Sequence, residues 1–174
     1  MKLSFATLTL LSSMLCSPFV QAAGSHGSWS LNDADMAAPG MSGKSISSQS
    51  TKTLQGSNKT AKVELGYSCN GDFYLQARDM GFAIDSVDCG PYGCKKRQHG
   101  KIKFDNNQII NAEFEIMSNS DGMYLLNDKN MLVKAMKAGS NIKFELEMAN
   151  TDDKEQMTTF SLKGFTAAYN WCAK

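Results

Sequence analysis

Four cysteines are the groups in this sequence whose spacing most clearly predicts a chemical bond. They are Cys69, Cys89, Cys94 and Cys172; a fifth, Cys16, lies near the N-terminus. Cys89 and Cys94 flank Gly-Pro-Tyr-Gly, a turn-forming tetrapeptide that brings the two thiols close. Of the three pairings that four cysteines allow, we therefore predict Cys89–Cys94, which leaves Cys69–Cys172.

The alternative for these cysteines is a metal site. Cys89, Cys94 and His99 would supply three ligands, but the sequence offers no fourth ligand at a usable spacing, and zinc sites usually contain C-x₂-C pairs. A redox centre would need C-x-x-C, whereas the spacing here is C-x₄-C. We expect no metal and no cofactor.

A basic cluster follows the predicted Cys89–Cys94 bridge, which should present it on a clamped loop. The side chains expected to bind a partner are Lys95, Lys96, Arg97 and Lys101. Their charge fits an envelope protein partner or an anionic cell-wall surface. The alternative is a solvated hairpin rim without a binding role.

Paired carboxylates are the remaining candidates for chemistry. Glu113 with Glu115, and Glu145 with Glu147, stand at i, i+2, which places each pair on one face of a strand. A glycosidase needs two carboxylates that converge on a cleft, but a solvated strand face has the same spacing. No G-x-S-x-G or H-E-x-x-H motif accompanies them. We expect a non-enzymatic protein, with an inhibitor or enzyme acting on cell-wall glycan as the alternative.

The N-terminal residues predict export. Lys2 precedes the apolar stretch 3–16, and Val-Gln-Ala ending at Ala22 is a small-residue cleavage site, so residues 1–22 are predicted to be a signal peptide. The protein would then be periplasmic or secreted, and its cysteines would meet an oxidising compartment. The alternatives are an uncleaved anchor or a lipoprotein attached through Cys16, although the residues before Cys16 lack the small residue that lipidation needs.

Composition narrows the classes of partner. Removing 22 of 174 residues leaves 152, and the loss of Lys2 from 18 basic residues leaves 17 against 17 acidic ones. This balance excludes a typical nucleic-acid-binding protein and a polybasic membrane-surface protein. No second apolar stretch is long enough for a stable membrane span.

Hydrophobic alternation defines the elements that must position these groups. It predicts strands within 62–69, 73–77, 82–87, 101–105, 109–117, 142–148 and 158–162. Asp128 is expected to cap a helix that ends at a left-handed Gly139, and a terminal helix should follow Gly164. Trp29 is expected to plug one end of the core.

The fold class predicted from these elements is α+β. It is a small antiparallel β-meander or sandwich with one mid-chain helix, a C-terminal helix and two disulfides. The expected organisation is a signal peptide at 1–22, a polar N-terminal arm with short edge strands at 23–60, and a disulfide-stapled α+β domain at 61–174.

Two motifs add a family resemblance over residues 60–174. Val63–Cys69 followed by Asn-Gly forms one, and the F-x-L-x-G…C ending at Phe160, Leu162, Gly164 and Cys172 forms the other. They resemble the type VI secretion-associated periplasmic accessory proteins (VasI/TagO-like), although the Cys89–Cys94 loop departs from that family. The resemblance implies an exported, non-enzymatic accessory role and an association with a secretion system. Small exported β-domains of the invasion-associated locus B type look similar at the same coarse level and imply the same class.

Overall fold

Alternating strands and two short helices build the part of the chain that the structure describes. This computed structural model describes residues 24–32, 43–56, 60–77, 80–105, 107–117, 122–149, 151–152 and 154–173, so the predicted signal peptide lies outside the described residues. The strands are β1 (Gly24–His26), β2 (Trp29–Asn32), β3 (Ser45–Gln55), β4 (Thr60–Ser68), β5 (Phe73–Gln76), β6 (Ser86–Gly90), β7 (Gly93–Phe104), β8 (Ile109–Ile116), β9 (Gly122–Leu125), β10 (Asn141–Glu147) and β11 (Glu155–Ser161). The helices are α1 (Lys129–Ala138) and α2 (Phe165–Cys172). With its two disulfides, this mostly antiparallel architecture confirms the predicted fold class.

The strands form one antiparallel sheet that curls on itself. Its order is β1-β2-β3-β4-β5-β9-β8-β7-β10-β11, with β6 paired to β7. At the far end β11 returns to lie beside β3, where the Thr51 hydroxyl is 3.2 Å from the Thr159 carbonyl oxygen. Gln55 and Gln156 exchange two further hydrogen bonds of 2.7 and 2.8 Å. Strand β3, expected at most as an edge strand, therefore has neighbours on both sides.

The core fills the inside of this curl. Three phenylalanines from adjacent or facing strands, Phe114, Phe144 and Phe160, are fully buried, with successive ring centroids 6.3 and 5.8 Å apart. Burial of each such side chain contributes about 1.5–3 kcal/mol relative to leaving it exposed. The period-2 pattern of the sequence therefore sends one side of each strand into a continuous apolar interior.

Helix α1 begins as predicted and ends differently. The Asp128 carboxylate accepts hydrogen bonds of 2.8 and 2.9 Å from two main-chain N–H groups of the first turn. The prediction for Gly139 is wrong, because this residue is extended, with φ −95° and ψ 169°. The main-chain N–H groups of the next two residues, Ser140 and Asn141, donate to the Asp105 carboxylate at 2.7 and 2.6 Å. The chain therefore passes directly from the helix into β10.

Helix α2 packs against the first strands and is tied to the turn after β4. Trp29 of β2 is fully buried, and its ring centroid lies 4.9 Å from that of Phe165. The Trp29 indole donates a 3.1 Å hydrogen bond to the Ser161 carbonyl, as expected of a residue that plugs the core. At the other end of α2, Cys172 forms a disulfide with Cys69.

The strand predicted at Phe82–Val87 is only partly present, since β6 begins at Ser86. Before β6 the chain crosses from β10 to β7. The Ala83 N–H donates to the carbonyl of Glu147 at 3.0 Å, and the Asp85 N–H donates to the carbonyl of Arg97 at 2.9 Å. As a result, β6 pairs with residues 93–97 of β7, beyond the point where the pairing of β7 with β10 ends.

Candidate functional site

One face of β7 carries most of the basic cluster. We call it the charged face, and it consists of Lys95, Arg97, Lys101 and Lys103 with Glu113 and Glu115 of β8 and Glu145 of β10. Each cation on it has a carboxylate partner on a neighbouring strand. The ammonium groups of Lys101 and Lys103 both lie 2.6 Å from Glu145, Lys95 lies 3.0 Å from Glu115, and Arg97 pairs with Glu113.

The cations and carboxylates that the sequence suggested as separate candidates are thus two halves of one ion-paired surface. The hydrogen bond from Lys101, followed by that from Lys103, lowers the pKa of Glu145 below its usual value. A carboxyl group that stays ionised in this way is a poor general acid. Glu145 therefore lacks the raised pKa that the proton donor of a glycosidase needs.

Lys96 is separated from the other three predicted contact residues. It lies on the opposite face of β7, in register with Val87 of β6 and Ile116 of β8. Within the described ranges no carboxylate forms a salt bridge with Lys96, in contrast to the cations of the charged face. The role of Lys95, Lys96, Arg97 and Lys101 in partner binding stays a prediction.

The hairpin tip, which we define as residues 86–96, is exposed along its whole length. All five residues of β6 and the first four of β7 are exposed. Tyr92, in the turn between the strands, is fully exposed, and Val87 is 56% exposed. Gly93 completes the turn with φ 114°, a conformation that side chains other than glycine rarely adopt.

A disulfide clamps the hairpin tip. Cys89 and Cys94 lie directly opposite each other on β6 and β7, and their Cα atoms are 4.0 Å apart. This distance is closer to the spacing of a non-hydrogen-bonded antiparallel pair, about 4.5 Å, than to that of a hydrogen-bonded pair, about 5.5 Å. Both cysteines are exposed, so this bridge stiffens the tip rather than the core. Because the two thiols are joined, they are not available as the metal ligands that the sequence left as an alternative.

A cleft of about 360 Å³ opens beside the charged face, where β7 and β10 separate. Its lining includes the titratable residues His99, Lys101, Glu145, Glu147 and Glu155. His99 Nδ1 lies 3.1 Å from the carboxylate of Asp85, which also accepts the His99 main-chain N–H and so orients the imidazole.

The cleft brings together Glu145 and Glu147, the carboxylate pair that the sequence suggested, with Glu155 and His99. Its lining contains no serine, threonine or cysteine for His99 to activate as a nucleophile. In the described portions of the chain, no three potential ligand side chains come close enough to hold a metal ion. The arrangement can bind polar or charged groups.

The curled sheet and its two disulfides define a β-rich domain of the kind found outside the cytoplasm. Residues 89–173 match the family model described as Invasion associated locus B (IalB) protein. The crystal structure of invasion associated protein b from Bartonella henselae has a similar fold, with a TM-score of 0.51 and 16% sequence identity, over 86% of this chain and 94% of that chain. No curated protein sequence matches the chain. Among helices of the described residues, none combines the length and apolarity required to cross a bilayer.

These matches correct the first of the two predicted resemblances. The type VI secretion family is wrong, because the ending used to infer it, Phe160 to Cys172, lies inside the region that matches the IalB family. The strand, glycine and terminal cysteine of that ending serve the fold: Gly164 starts α2 and Cys172 staples it to Cys69. The resemblance to invasion-associated locus B proteins is the one that the comparisons support, and an association with a secretion system has no support.

Proposed function

We propose that this chain is a non-enzymatic binding protein of the bacterial envelope or exterior, which contacts a protein partner through the hairpin tip. The name of the Bartonella protein associates that relative with invasion. For the present chain, the proposal is an accessory role in which the folded sheet serves as the support and the clamped hairpin as the contact element.

The observation that carries this proposal is the exposed aromatic side chain on a stiffened turn. Tyr92 is fully exposed at the end of a hairpin whose strands are joined by the Cys89–Cys94 disulfide. Tyrosine is enriched among the residues that dominate binding energy at interfaces. A contact element that is already ordered loses less conformational freedom when it binds, so more of the interaction energy is retained as affinity.

The charges favour a protein partner over an anionic cell-wall polymer. An anionic polymer would need several uncompensated cations side by side, yet Lys95, Arg97 and Lys101 each have a carboxylate partner within the chain. Lys96 lies on the other face of the hairpin tip, beside Val87. The hairpin tip also exposes an aliphatic and an aromatic side chain, Val87 and Tyr92, and aromatic residues are enriched at protein interfaces.

Site-specific photo-crosslinking tests the proposal. Benzoylphenylalanine replaces Tyr92 in the full chain expressed with its N-terminal residues, and the matched control places it at Ile109. Ile109 is 59% exposed and lies at the other end of the β7–β8 ribbon, in register with Lys103. We expect one defined protein adduct from position 92 and none from position 109. Equal labelling at both positions, or no adduct from position 92, would refute the hairpin tip as the contact element.

A further inference from the structure

The edge of β6 is the open strand edge of the hairpin tip. Among the strands that the structure describes, β6 pairs with β7 alone, and all five of its residues are exposed. The first and last strands in the sheet order, β1 and β11, do not have an open edge of this kind. Strand β11 lies beside β3, and β1 lies against α2. An exposed strand edge with unpaired main-chain groups is a template for pairing with another strand.

The register shows which main-chain groups of β6 point outward. Cys89–Cys94 has the short Cα spacing of a non-hydrogen-bonded pair, so the pairs on either side of it, Asp88–Lys95 and Gly90–Gly93, are the hydrogen-bonded ones. The N–H and carbonyl groups of Val87 and Cys89 therefore point away from β7. These two residues present four hydrogen-bonding groups along an open edge.

We infer that the partner contributes an extended segment that adds to the sheet as a strand along β6. This inference rests on the proposed function and names the way in which the hairpin tip binds. Main-chain hydrogen bonds to Val87 and Cys89 would supply affinity, and the side chains that alternate along the added strand would supply specificity.

The charges of β6 define the chemistry of that segment. Asp88 forms no salt bridge with any described residue: Lys95, across from it, pairs with Glu115, and Arg97 pairs with Glu113 and interacts with Asp88 only through its longer-range field. An added antiparallel strand would place one side chain directly opposite Asp88 in a closely spaced pair, where a basic residue is favoured. The neighbouring positions of the segment would face Val87 and the disulfide, and these favour apolar β-branched residues.

The same geometry disfavours a second copy of this chain as the occupant. A symmetric pairing of two β6 strands that uses the outward groups of both Val87 and Cys89 centres on Asp88. It would place the two Asp88 carboxylates opposite each other, and like charges in that position are destabilising. The segment is therefore assigned to a different protein, with an apolar–basic–apolar pattern.

Replacement of Val87 separates edge pairing from side-chain contact. Val87→Pro removes an outward N–H at a strand edge, a position where proline is tolerated. Val87→Thr keeps both the N–H and the side-chain shape, and is the matched control. The probes are nine-residue peptides selected from a random phage-displayed library on the full folded chain, then synthesised, with binding measured by fluorescence anisotropy.

We expect selected peptides with the apolar–basic–apolar pattern. Their affinity should fall about tenfold or more in Val87→Pro and less than about threefold in Val87→Thr, since each tenfold corresponds to about 1.4 kcal/mol. Asp88→Asn should weaken the basic peptides roughly two- to fivefold, as expected for one cross-strand charge pair. Peptide binding should also slow amide hydrogen exchange at Val87 and Cys89 more than at Asp88 and Gly90.

Several results would overturn the inference. They are the absence of any selected peptide, equal losses in Val87→Pro and Val87→Thr, or a dimer of this chain that Val87→Pro abolishes. The proposed function is tested separately by the Tyr92 crosslink. If that crosslink persists unchanged in Val87→Pro, the hairpin tip remains the contact element and strand addition is wrong; if wild-type protein gives no crosslink, the proposed function itself is wrong.

Discussion

Removing the Cys69–Cys172 disulfide is expected to destabilise the protein far more than removing Cys89–Cys94. The first bridge joins residues 103 positions apart in the sequence, and the second joins residues five apart. In the chain-entropy treatment of disulfides, loops of these sizes correspond to about 4.7 and about 2.2 kcal/mol. For a domain of this size each kcal/mol shifts the unfolding midpoint by roughly 2–4 °C, so the larger loss corresponds to roughly 9–19 °C.

The structure widens this difference. Cys172 ends α2, which carries buried Phe165 and packs against Trp29, so loss of the bridge also frees a helix that covers the core. The hairpin cysteines are exposed, so the effect of removing their bridge should be confined to the tip. Calorimetry measures the unfolding midpoint of each double variant, Cys69→Ser/Cys172→Ser and Cys89→Ser/Cys94→Ser. Non-reducing peptide mapping of the wild type identifies which cysteines are paired. An equal fall of the midpoint in the two double variants, or a mapped Cys69–Cys89 peptide, would refute this reasoning.

Three further substitutions test the core and the charged face. Trp29→Ala should cost about 3–5 kcal/mol by chemical denaturation because the side chain is fully buried, and a loss below about 1 kcal/mol would show that Trp29 does not plug the core. Gly66→Ala would place a methyl carbon 1.9 Å from the Tyr74 ring and should cost about 1–3 kcal/mol or more; Gly90→Ala, which meets nothing within 4 Å, is the control and should leave the midpoint unchanged. The lowered pKa of Glu145 means that its contribution is present above the usual carboxyl value of 4.5 and is lost as the pH falls below it. In Glu145→Gln, the free energy of unfolding should therefore fall less steeply with decreasing pH than in the wild type. If the two proteins lose stability equally as the pH falls below 4.5, the pairing of Glu145 with Lys101 and Lys103 is contradicted.

Local patterns in the sequence predicted most of the elements, because the physics behind them is local. Period-2 alternation located β4, β5, β8, β10 and β11 but only the second half of β7. Asp128 marked the start of α1, since a side-chain oxygen next to the first turn can accept its free N–H groups. Gly139 was predicted wrongly because the conformation at a helix end depends on groups that lie near it in space. The Asp105 carboxylate, from a distant turn, holds the chain extended there.

The candidate site was predictable in its parts but not in its arrangement. The sequence placed Lys95, Lys96 and Arg97 beside a predicted disulfide turn and treated them as one basic cluster. Alternation along β7 puts Lys96 on one side and Lys95 and Arg97 on the other, so a run of adjacent residues is not a patch in space. No signal within the sequence showed that the carboxylates of β8 and β10 would pair with these cations, because that contact depends on strand order.

The sequence by itself determined the disulfide-bonded antiparallel class, since cysteine count, turn residues and hydrophobic alternation are properties of the chain. Only the tertiary structure decided which charges neutralise one another and which strand edge stays open. Strands that are neighbours in space are often distant in sequence, as β7 and β10 are, and their order depends on how the whole sheet curls to close its core. That closure covers the edges of β3 and β11 and leaves β6, which contains Val87, and the adjoining Tyr92 exposed to solvent.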